Sequence, residues 1–173
     1  MNVKILVPMD GTAVGEAVLP KLENLVLQYV PNTEAEVILV RVISGVNFNV
    51  LTHDKRAQLP YTESDQKELN EQAINYLEEV AKKLRNKGFN VSTLVKTGTV
   101  AEEIVKAAHE TNANLIAMST HGRTGVVRWA IGSTADKVIR LEGKIPVFAV
   151  QANQKEESPV IPMGSLQSMV KHS

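Results

Sequence analysis

The chain has 173 residues, with 19 Lys plus Arg against 19 Asp plus Glu, 43% hydrophobic residues and no cysteine. That length suits one domain with a substantial core. The charge balance provides no field for nucleic acid or an anionic membrane, and the missing thiols exclude disulfides, thiolate zinc sites and thiol catalysis. No apolar run approaches the roughly 18 residues of a membrane span, and the apolar start at residues 3–8 is too short for a signal peptide, so a soluble cytoplasmic protein is expected.

Residues 3–8 read as a short β-branched strand, halted by Pro8 and by Asp10-Gly11. Over residues 12–29, Val14, Val18, Leu22, Leu25, Val26 and Tyr29 recur at helical spacing, and Pro20 should bend the helix or delay its start. Residues 36–43 are a second apolar strand, covered on both faces. Residues 44–62 keep no steady period and include Gly45 and Pro60; a connection that long is either mobile or functional.

Helical spacing returns over residues 63–87, where Leu69, Ala73, Tyr76, Leu77, Val80 and Leu84 form one stripe and Gly88 is a natural stop. Residues 89–96 form a third strand, and residues 100–111 a helix with Ile104, Val105 and Ala108 facing inward. Residues 114–119 are the fourth strand, 133–141 the fourth helix and 145–150 the fifth strand. Strands alternating with helices predict a doubly wound α/β domain, a five-stranded parallel sheet with helices on both faces. It spans residues 1–151. Residues 152–173 hold Pro159, Pro162, Gly164 and four serines, and read as a tail that is flexible or docks on a partner subunit through residues 160–163.

In open α/β sheets ligands gather at the carboxyl ends of the strands, where strand order reverses. Asp10, Val42, Gly98 and the segment from Ser119 to Ser133 should converge there. Asp10 is a lone carboxylate at a strand end, suited to a ribose hydroxyl or a divalent cation; it equally suits capping the next helix or closing a turn with Gly11. Gly122, Gly125 and Gly132 precede the hydroxyls of Ser133 and Thr134 at a helix entry, with Arg123 and Arg128 nearby. Unpaired N–H groups and the positive dipole end make such an entry a phosphate site. Ser133-Thr134-Ala135-Asp136 also fits a capping box, which leaves other donors free. Neither a Walker P-loop nor G-x-G-x-x-G occurs.

These residues resemble the universal stress protein family, in its nucleotide-binding branch, over residues 2–151. Ser119, Gly122, Gly132 and Ser133 match the motif G-x2-G-x9-G-[S/T], with serine where the family has its first glycine. Residues 7–10, 37–42, Gly98, residues 102–105 and residues 144–147 add support. The resemblance implies a flavodoxin-like, Rossmann-like sheet of order 3-2-1-4-5 that holds ATP, or AMP or ADP, without a P-loop. By position Pro8 and Asp10 would lie at the ribose or adenine, Val42 at the adenine edge and Ser119 at the ribose. Gly122, Arg123, Gly132, Ser133 and Thr134 would surround the phosphates, and Mg2+ or Mn2+ would ride on them, with Asp10 as a ligand. It also implies a homodimer paired through the edge strand 145–150.

Three functions follow from this reading. An ATP-binding stress or signalling module would let its nucleotide state bias a surface for an unknown protein partner. A slow ATPase or autophosphorylating enzyme would need a base, for which His121 is the candidate. A dimeric scaffold would leave the crevice empty.

Overall fold

The computed structural model describes residues 3–29, 35–44, 47–51, 56–60, 62–121 and 132–152, with residues 47–51, 56–60 and His121 described as backbone. Strand β1 (Lys4–Pro8) leads into a short helix α1 (Ala13–Glu16) and a longer α2 (Val18–Tyr29). The expected single helix is thus divided at Ala17, where the chain makes a helical turn of its own. Pro20 then falls within the first turn of α2, where its missing N–H breaks no intrahelical bond. Tyr29, placed on the inward stripe by its spacing, is 76% exposed because α2 ends there.

Strand β2 (Glu36–Ser44) is followed by β3 (Asn47–Leu51) and β4 (Arg56–Pro60), a two-stranded antiparallel pair inside the stretch expected to lack regular structure. Helix α3 (Glu63–Arg85) begins in a reciprocal capping box between Thr62 and Asp65, and Gly88, at φ +91°, turns the chain out of it. Strand β5 (Asn90–Gly98), helix α4 (Val100–Glu110), strand β6 (Leu115–His121), helix α5 (Ser133–Leu141) and strand β7 (Val147–Ala152) complete the chain. The last strand starts two residues later than its apolar run, since Ile145 and Pro146 belong to the turn that delivers it.

Five strands form one sheet in the order β5-β2-β1-β6-β7, and every neighbouring pair is parallel. This is the expected 3-2-1-4-5 arrangement, an α/β fold. Period-two alternation sends Ile5, Val7, Val37 and Leu39 to one face, against α2 and α3. Leu6, Ile38 and Val40 go to the other face, against α4 and α5. The crossovers change face where the order reverses, between β1 and β6. Both faces are therefore core, and the sheet's carboxyl edge opens at that reversal. Among the described residues no helix is long and apolar enough to cross a membrane.

Candidate functional site

A crevice of about 490 Å³ lies along the carboxyl edge of β1, β2 and β6, within the size range of small-ligand sites. Pro8 and Asp10 enter it from β1, Val42 from β2, Ser119 from β6, and Gly132, Ser133 and Thr134 from the start of α5. Seven of the nine residues that the resemblance assigns to the nucleotide thus share one cavity; Gly122 and Arg123, like Gly125 and Arg128, lie outside the described residues. Gly98 does not line it. That glycine ends β5 at φ +149°, with the Glu103 side chain against it, so its conformation serves the entry to α4.

Asp10 is held by its neighbour. Its Oδ1 accepts bonds from the Thr12 amide at 2.9 Å and the Thr12 hydroxyl at 2.6 Å, and that hydroxyl in turn accepts from the Gly15 amide to cap α1. The turn reading of Asp10 is therefore correct, yet the same carboxylate faces the crevice. Gly15 makes this possible, because a β-carbon there would collide with Oδ1.

Ser119 occupies the family's first glycine position, and its hydroxyl donates to the Gly15 carbonyl at 3.1 Å. The extra side-chain atoms tie the end of β6 to α1. Strand β6 runs on through Thr120 and His121, further than its apolar run indicates; buried Thr120 donates to the Val150 carbonyl at 3.4 Å.

The entry to α5 differs from the capping box its residues suggest. Gly132 is the N-cap, and among the described residues no side chain caps the first turn. With Gly132 as N-cap, Asp136 stands one position too far along for the box, and its Oδ2 accepts from Arg140 Nε at 2.8 Å, one turn along the exposed face. The first amides of α5 therefore have no side-chain acceptor there and adjoin the crevice.

The opposite wall is built by residues that carry no motif. Arg41, Ile43 and Ser44 of β2, Leu69, Gln72 and Ala73 of α3, and Val100 and Ile104 of α4 also line the cavity. Leu69 and Ala73 belong to the stripe assigned to the core, and the helix runs past the sheet edge so that its early turns roof the crevice. Among the described residues no three His, Cys, Asp or Glu side chains are grouped to hold a metal ion.

The comparisons with known proteins agree with this architecture. The model of the Universal stress protein family matches residues 1–151. A universal stress protein of Methanocaldococcus jannaschii, MJ0577, is 31% identical over 159 residues, covering 87% of this chain and 96% of its own. The solved structure of MJ0577 superposes with a TM-score of 0.64 at 27% identity, over 87% and 96% of the two chains. A family protein of Arabidopsis thaliana with AMP bound shares the fold at 15% identity and a TM-score of 0.58, over 91% and 96%. A universal stress protein in complex with cAMP does so at 14% and 0.55, over 87% and 98%. The chain belongs to the Universal stress protein family.

Proposed function

We propose that the crevice binds an adenine nucleotide, ATP or its relatives AMP and ADP, and that the protein is a nucleotide-dependent signalling module. The observation that carries this is the start of α5, where among the described residues no side chain caps the first turn, lining the same crevice as the carboxylate of Asp10. A phosphate chain is the ligand group that suits helix-start amides with no described side-chain acceptor beside two hydroxyls, Ser133 and Thr134. Oδ1 of Asp10 already accepts twice from Thr12, which leaves Oδ2 for a ribose hydroxyl. Val42 and Pro8 offer backbone and apolar surface to the base. Gly122 and Arg123 complete the phosphate end by their place in the motif, and Mg2+ or Mn2+ enters on the phosphates with Asp10 as a further ligand. AMP and cAMP in two proteins of the same fold support an adenine nucleotide.

The signal would be passed by a homodimer paired along β7, an edge strand beside β6. Unpaired backbone groups on an edge strand are a template for a second copy. The test of the ligand is direct. Protein purified without added nucleotide is denatured, and the released small molecules are identified by mass spectrometry. Stoichiometric ATP, ADP or AMP is the expected result; protein that releases none and fails to take up ATP at millimolar concentration contradicts the proposal.

A further inference from the structure

Arg41 is the cation that the described crevice wall presents. Alternation along β2 sends Val40 and Val42 toward α4, and Arg41 to the opposite face, toward α3. There its guanidinium lies 5.2 Å from the centre of the Tyr76 ring, a cation–π contact. Tyr76 is itself fixed, because its hydroxyl donates to Glu16 Oε1 at 3.0 Å. Burial, and then the Glu16 charge, hold its phenol well above the ordinary range, so it stays a neutral donor. The turn after β1 passes close to the same guanidinium: a β-carbon on Gly11, at φ +80°, would meet Arg41 and push its side chain aside. Three elements thus place a planar, five-donor group at one point in the crevice.

Strand order says which end of a ligand it meets. Helix α5 follows β6, whereas Arg41 sits on β2, and the two strands flank β1. They are two strand spacings apart, about 10 Å. A nucleotide with its phosphates at α5 and its ribose over Asp10 brings its base to β2. The lining there is mostly apolar, from Val42, Leu69, Ala73 and Ile104; Ser44 and Gln72 add neutral polar groups, and Arg41 is the charged side chain among the described residues at that end. Resting on the nucleotide reading of the crevice, we propose that Arg41 contacts the base and sets which base is accepted, with Tyr76 as its positioning residue.

Calorimetric titration of the full chain with ATP, CTP, adenosine and inorganic tripolyphosphate tests this in wild type, Arg41→Met, Arg41→Lys and Tyr76→Leu. Arg41→Met should weaken ATP and adenosine by about tenfold or more, and narrow the gap between ATP and CTP, while tripolyphosphate changes by less than about twofold. Arg41→Lys should recover little, since it restores charge without the planar fork, and Tyr76→Leu should reproduce part of the ATP loss. Thermal midpoints identify a variant that has failed to fold, in which case Arg41→Lys decides. Equal losses for ATP and tripolyphosphate would mean Arg41 serves the phosphates, and overturn the assignment. So would unchanged ATP binding in folded Arg41→Met. Wild-type protein that binds no nucleotide overturns the nucleotide reading, and the role of Arg41 with it.

Discussion

Ser119 shows how one hydroxyl changes a site without closing it. Its Oγ is spent on the Gly15 carbonyl, next to the residue whose missing side chain leaves room for Asp10. Ser119→Gly removes that tie and adds backbone freedom, so unfolding in urea should show a loss of about 1 kcal/mol. ATP affinity should stay within about threefold, because the lost bond is to protein rather than ligand. A tenfold loss of affinity with unchanged stability would mean the hydroxyl contacts the nucleotide instead. Much of this was legible in the residues: the glycine spacing, the lone Asp10 and the hydroxyl pair all point to one edge of the sheet. The partners of Ser119 and Arg41 were not, since both lie far away in sequence, at Gly15 and Tyr76. No local pattern records a contact made across 104 residues.

At the scale of elements, the two capping boxes part company. Thr62 is the N-cap of α3 with Asp65 at N3, so that box closes, whereas α5 starts from Gly132 and puts Asp136 one position past N3. The same residue pattern serves both, and what differs is where the helix begins, with Asp136 pairing to Arg140 on the exposed face. The β3–β4 pair had a signal that went unused: Phe48 and Val50 alternate with polar residues, as do Ala57 and Leu59, and the register sets Phe48 opposite Leu59 and Val50 opposite Ala57. Runs of five residues are too short for that period to stand out.

The junction from α5 to β7 depends on Glu142, whose side chain is 1% exposed. Its Oε1 accepts from the Lys144 and Ile145 amides at 3.2 and 3.1 Å, and Oε2 lies 2.9 Å from His109 Nε2. Burial opposes the charge, but the two amides and the imidazole outweigh it and hold the carboxyl below the ordinary glutamate value of 4.5. A carboxyl lowered by folding stabilises the native state fully above its unfolded pKa. That contribution fades as pH falls below 4.5 through the lower folded value. Thermal midpoints should therefore drop on acidification through that range, with a smaller drop in Glu142→Gln. Identical profiles for the two proteins would remove Glu142 from the acid response.

For the whole molecule, apolar strands alternating with amphipathic helices were enough to predict a parallel sheet covered by helices, because parallel neighbours need crossover connections. The order itself came from family likeness, as periodicity does not say which strands are neighbours. Dimerisation belongs to this scale. Sedimentation should find wild-type protein dimeric and Ala149→Lys monomeric with an unchanged circular dichroism spectrum, since Ala149 is exposed on the edge strand β7 and a charge there blocks strand addition. A dimer that survives the lysine would place the interface elsewhere. In the proposed function the start of α5, which no described side chain caps, holds the phosphates of ATP. Calorimetry of wild type against Gly132→Val reads it most directly: saturable binding to the first, and affinity lower by more than about tenfold in a folded second, where the branched side chain crowds the amides. Equal ATP affinity in both proteins would contradict it.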